Sequence, residues 1–127
     1  MSDTENFTRG QRIITKDETA DRAYLILSGS VKVFLEDGSK VVELATLGEN
    51  EIFGESALFS GEPYGANIDA AEDTTLQIIT PDSFATMMEG TDPIIQTLLN
   101  MLVKRLKSTN EALMKSETRE FMDIDLI

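Results

Sequence analysis

At 127 residues the chain is long enough for one hydrophobic core, and its 41% hydrophobic and 27% charged residues are ordinary for a globular protein. Histidine and cysteine are both absent, which excludes disulfides, the usual zinc, copper or non-haem iron ligand sets, and the commonest general base. A net charge of −12 argues against a nucleic-acid surface, because phosphates need a basic face to neutralise them.

The first residues, MSDTENF, are polar and acidic, which predicts no signal peptide. No apolar run approaches the length of a membrane span. The expected compartment is therefore cytoplasmic, with no membrane partner. Short runs with apolar or β-branched residues then follow one another. Arg12–Thr15, Ala23–Leu27, Val31–Leu35, Val41–Leu44, Asn67–Ala70 and Leu76–Ile79 are predicted strands. Ser28-Gly29-Ser30, Asp37-Gly38, Leu47-Gly48-Glu49-Asn50 and Gly61-Glu62-Pro63 are the turns between them. Many short strands with regular turns predict a barrel or jelly roll over about residues 7–80.

The periodicity changes at Pro81-Asp82-Ser83, which opens a short helix ending near Gly90. Thr91-Asp92-Pro93 opens a longer one, with a capping side chain and a first-turn proline. Ile95, Leu99, Leu102, Leu106 and Leu113 recur at heptad spacing if Thr109 fills the gap, and Ile94, Leu98 and Met101 form a second stripe beside them. One stripe is expected to pack on the barrel and the other on a partner helix, so a homodimer through this helix is predicted. The helices are expected over about residues 81–120, within a single domain of residues 1–127. The last residues, EFMDIDLI, alternate acidic and apolar character. Too few residues follow Leu113 to be expected to encode an effector domain of their own.

Charge is unevenly spread. Between Val41 and Val103 there is no Lys or Arg, while Glu43, Glu49, Glu51, Glu55, Glu62, Asp69, Glu72, Asp73, Asp82, Glu89 and Asp92 all fall inside that window. Most of these acids read as a solvated surface. No acid pair has a spacing that argues for carboxylate catalysis. No catalytic residue, metal ligand or cofactor is therefore expected, and the chain is not expected to be an enzyme.

Three segments carry a family resemblance. FTRGQRIITKDETADRAYLILSGSVKVF is followed by LGENEIFGESALFSGEPYGANIDA, and KRLKSTNEAL closes the series at Lys104–Leu113. In that order and spacing they resemble the cyclic nucleotide-binding domain. This is the module of bacterial catabolite activator proteins, protein kinase A regulatory subunits and cyclic nucleotide-gated channels. The resemblance covers about Phe7 to Leu113. It implies a mainly β fold, a jelly-roll barrel flanked by helices and followed by a long C-terminal helix. Asp17 and Asn50 stand where the family usually has glycine. Both residue types tolerate left-handed backbone, so the turn shapes are expected to survive.

The resemblance also assigns roles. Gly54 would allow close backbone approach, and the N–H groups of Ser56 and Ala57 would face a phosphate. Glu55 would accept the ribose 2′-hydroxyl. Ala66 matches the family pattern, but Tyr64 stands where the family has its phosphate-binding arginine, and Gly65 where a hydroxyl is common. Losing a charge-assisted hydrogen bond of roughly 1.5–3 kcal/mol weakens binding about ten- to a hundred-fold or more. Thr109 and Asn110 match the pair that the activator proteins' long helix offers to adenine. The implied ligand is cAMP or another cyclic nucleotide, bound weakly, in altered form, or not at all. Tyr64 reads equally as an aromatic plug, and Thr109 as a polar register position in a dimer. The leading expectation is a non-catalytic regulatory module acting on a protein effector. The alternative is a protein–protein interaction or dimerisation module with a plugged pocket.

Overall fold

The computed structural model describes residues 3–116, with side chains described as far as residue 105. In chain order the strands are β1 (Thr4–Phe7), β2 (Arg12–Ile14), β3 (Ala23–Ser28), β4 (Val31–Asp37), β5 (Lys40–Leu47) and β6 (Ile52–Phe53). A short helix α1 (Glu55–Ser60) interrupts the series before β7 (Asn67–Ala70) and β8 (Thr74–Ile79), and α2 (Pro81–Glu89) and α3 (Pro93–Ser116) follow. The strands form two antiparallel sheets, ordered β1-β8-β3-β6 and β2-β7-β4-β5. This is the jelly roll with flanking helices that the strand-and-turn pattern predicts.

Alternation along each strand places the core between the sheets. Val31 and Val33 of β4 point inward with Ile26 of β3, Phe53 of β6 and Leu76 of β8, all fully buried. Tyr24 stacks on Phe53, its cross-strand partner, with ring centroids 5.1 Å apart. Burial pushes the Tyr24 phenol up to about 12, so it stays neutral.

The six predicted strands are all present, most of them longer by one to four residues than their apolar runs. β1 and β6 were not legible. β1 has one buried apolar residue, Phe7, and is held by pairing with β8. β6 is only Ile52 and Phe53, paired to Leu25 and Tyr24. Asp17 and Asn50 both take left-handed backbone, with φ of 73° and 69°, as their residue types predict.

Thr80 caps α2 through a reciprocal pair of bonds with Ser83, and Pro81 occupies the first helical turn. The carboxylate of Asp92 accepts the Ile94 N–H at 2.8 Å and starts α3. Gln96 then donates to the carbonyls of Met88 and Thr91, tying α3 to the end of α2.

The seam expected along α3 is redistributed. Gln96, Leu99 and Val103 are its half-buried side chains, while Ile95 and Leu102 are exposed together with Ile94, Leu98 and Met101. Leu99 alone of the predicted heptad turns inward among the described residues. Gln96, on that inward face, is held through its amide by the Met88 and Thr91 carbonyls. Leu106 and the seam positions after it lie beyond the described side chains. Among the described residues no helix is long and apolar enough to cross a membrane.

Candidate functional site

Helix α1 begins on a glycine for a steric reason. Gly54 has φ of 83°, a left-handed conformation that costs L-residues roughly 1–2 kcal/mol. A Cβ there would stand 3.3 Å from the Arg22 carbonyl oxygen and 3.4 Å from Ala23 Cα. The backbone of α1 therefore lies directly against the start of β3. Gly54 offers no side-chain cap, and the first intrahelical bond runs from Leu58 N–H to the Gly54 carbonyl. The amides of Ser56 and Ala57 belong to the unpaired first turn. Both residues are buried, with Ala57 in the hydrophobic core.

Glu55 leads the helix and is half-buried. Its Oε2 is closed off from solvent and has no hydrogen-bond partner. Burial pushes the carboxyl above the ordinary range, and a bond from its own backbone N–H works against that shift. Among the described residues no Lys or Arg forms an ion pair with it. A buried acceptor without a donor is costly, and Glu55 Oε2 is such an atom among the described residues.

Tyr64 is fixed from both ends. Its backbone N–H donates to the Glu18 carbonyl at 3.0 Å, and its carbonyl accepts the Asp17 N–H at 2.9 Å. Its hydroxyl donates to the Arg22 carbonyl at 2.5 Å and accepts the Arg22 N–H at 3.3 Å. The residue is 7% exposed and belongs to the core cluster. Burial raises its phenol as well, so it carries no charge. Gly65 is half-buried beside it, and Ala66 is buried in the core.

Gly54, Glu55, Ser56, Ala57, Tyr64, Gly65 and Ala66 thus fall on one helix-and-loop unit, α1 and the segment leading into β7. Thr109 and Asn110 fall on the backbone of α3, and their side chains lie outside the described residues. Two relationships were not anticipated. Arg22 serves the site through its backbone, which no side-chain pattern reveals. Phe59 of α1 meets Phe84 of α2 with ring centroids 5.2 Å apart, and α1 also packs against α3. One phenylalanine in each short helix is the only hint of that link in the sequence. Among the described residues no cluster of acids is placed to hold a metal ion.

A jelly roll with a glycine-led helical turn inserted between its sixth and seventh strands, followed by two helices packed near that turn, defines a class of regulatory ligand-binding modules. The family model described as "Cyclic nucleotide-binding domain" matches residues 4–91, and the chain belongs to that family.

One curated relative is the CRP-like cAMP-activated global transcriptional regulator of Mycobacterium tuberculosis, 28% identical over 85% of this chain and 49% of its own length. The cAMP-dependent protein kinase type II regulatory subunit of Drosophila melanogaster is 34% identical over 51% of this chain and 17% of its own. Against the first of these relatives, the chain spans about half the length. Among solved structures, the EAL enzyme Bd1971 in its halfsite-occupied form has a TM-score of 0.83 at 32% identity, covering 87% of this chain and 99% of that one. The catabolite activator protein of Thermus thermophilus has a TM-score of 0.68 at 26% identity, covering 88% of this chain and 53% of that one.

Proposed function

We propose that this chain is a non-catalytic regulatory module that binds cyclic nucleotides weakly or in altered form, because Tyr64 replaces the cation that would hold a phosphate. Residues 1–127 act as one domain in this reading. The observation that carries it is the hydroxyl of Tyr64. Its single proton is committed to the Arg22 carbonyl, so it is not offered to a ligand. Glu55 keeps the acceptor role the family resemblance implies, and its unpartnered Oε2 supports that. The names of the relatives, regulators and kinase regulatory subunits, support a role in signalling.

Occupancy of the site would reach the long helix through α1. Phe59 against Phe84, and α1 against α3, join the cassette to both C-terminal helices. A ligand that favours one arrangement of α1 would thereby shift α3 between two positions and signal to a protein effector. The exposed stripes of α3 support a homodimer. Net charge and the cation-free window support a chain that does not itself contact DNA. Its expected place of action is the cytoplasm.

A second reading has its own support. Tyr64 is buried in the core and bonded at three backbone positions, which favours a closed interaction module. Tyr64→Arg separates the two when cAMP binding and melting temperature are measured on the same variant. A gain in cAMP affinity of at least about tenfold at unchanged stability supports the altered sensor. A lower melting temperature without binding supports the closed module, because a buried arginine without a ligand is an uncompensated charge.

A further inference from the structure

Helix α3 has two unlike faces. Gln96, Leu99 and Val103 are half-buried on the inward one. On the opposite face, Ile94, Leu98, Met101 and Arg105 follow one another at steps of four, three and four residues, and all four are exposed. Pro93, Ile94, Thr97, Leu98 and Met101 line an open apolar groove of about 400 Å³ there. Charge is divided along the same helix. From Pro93 to Val103 there is no Lys, Arg, Asp or Glu. Glu89 and Asp92, both exposed, precede this neutral stretch, and Lys104 and Arg105, both exposed, follow it. An apolar face with acid at one end and base at the other is complementary to itself, but in one direction only. A parallel pair sets Arg105 against Arg105 and Asp92 against Asp92. By spacing its stripe then continues through Ser108, Ala112 and Lys115, which adds another like-charge pair and little apolar surface. An antiparallel pair about a two-fold axis near Leu98 joins the neutral stretches. With a rise of about 1.5 Å per residue, Arg105 lies about 10 Å to one side of Leu98 and Asp92 about 9 Å to the other. The two-fold therefore brings Arg105 of each copy level with Asp92 of the other.

We infer that α3 docks antiparallel on a second copy of this chain through the face of Ile94, Leu98 and Met101, with Arg105 of each copy beside the acidic end, Glu89 and Asp92, of the other. This rests on the homodimer reading above and adds the face and the direction. The heptad through Ile95, Leu99 and Leu102 does not serve as the seam, because Leu99 is turned inward. In the antiparallel pair, position 109 of one copy stands about 33 Å along the axis from position 109 of the other. The two long helices then do not meet over a shared base-binding position.

The chain has no cysteine, so single cysteines report the direction. Ile94→Cys, Leu98→Cys and Arg105→Cys all fall at exposed positions. Each is treated with a short bismaleimide and read by the dimer band on a denaturing gel. Leu98→Cys is expected to link to itself. Arg105→Cys is not, because the two 105 positions are about 21 Å apart along the axis. An equilibrated mixture of Ile94→Cys and Arg105→Cys is expected to give the mixed dimer. Arg105→Cys linking to itself in preference to Ile94→Cys overturns the inference and leaves a parallel homodimer standing. Sedimentation of Arg105→Glu reads the charge directly. Two symmetry-related attractions become repulsions, so the dimer is expected to weaken about tenfold at low salt. Unchanged affinity overturns the inference. A native dimer in which none of the three cysteines cross-links removes the inference alone, and a native monomer at tens of micromolar removes the homodimer reading with it.

Discussion

The hydroxyl of Tyr64 and the carbonyl of Arg22 meet at 2.5 Å, and the same carbonyl oxygen lies 3.3 Å from where a Cβ on Gly54 would stand. One backbone oxygen thus joins the cassette loop, the start of α1 and the entry to β3. The loop is set by this contact before any ligand arrives.

Tyr64→Phe keeps the ring in the core and removes the hydroxyl. Arg22 then loses a partner for both its carbonyl and its N–H. The expected cost is about 1–3 kcal/mol, the penalty for leaving buried backbone groups unpaired. Urea denaturation at neutral pH measures it. A change below about 0.5 kcal/mol would mean that solvent reaches those groups in the variant.

Gly54→Ala should destabilise for a different reason. The new methyl must adopt a left-handed backbone and press on Arg22 and Ala23. A loss of roughly 1–2 kcal/mol is expected from the backbone alone. The same substitution at Gly38, also left-handed but with open space around it, should cost no more than that backbone term. Comparing the two melts separates conformation from crowding.

These residues show how much the sequence could disclose. The jelly roll followed from alternating apolar positions and glycine-rich turns, and the helix starts from Thr80, Pro81, Asp92 and Pro93. Gly54, Glu55 and Tyr64 were picked out by their place in a recognisable cassette. The role of Arg22 was hidden because it acts through its peptide group, and any residue could supply that. β1 was hidden because its stability comes from pairing with β8, which TENF does not advertise. The inward place of Gln96 on α3 was hidden because a polar amide carries no apolar periodicity. Ile95 and Leu102, which the apolar pattern assigned to a seam, are open on the single chain.

Glu55 gives the fold a pH signature. Its carboxyl is raised by burial above the ordinary value of 4.5, so ionising it costs more in the folded chain than in the unfolded one. That contribution to stability is complete below about pH 4.5 and is lost as pH rises through the folded value. Glu55→Gln should therefore melt higher than the native chain at pH 7, and the gap should close toward pH 4.5. A gap independent of pH would assign the effect to packing rather than charge.

The exposed face of α3 makes a prediction about assembly. Ile94 is 76% exposed, with Leu98, Met101 and Leu102 also open on the same helix. Apolar faces of this kind mark interaction surfaces. The native chain should sediment as a dimer at tens of micromolar, a working range for such an assay. Leu98→Asp should give a monomer whose barrel unfolds at the native urea midpoint, since Leu98 is not part of the core. A native monomer, or a dimer indifferent to Leu98→Asp, would place the contact elsewhere.

In the proposed reading the cassette has kept its backbone turn and lost its phosphate-binding charge. Titration of the unaltered chain with cAMP at physiological salt tests it most directly. The expected result is no tight site, with any dissociation constant weaker than about a micromolar. A sub-micromolar constant would contradict the claim, because it would require a cation for the phosphate that the site around Tyr64 does not provide.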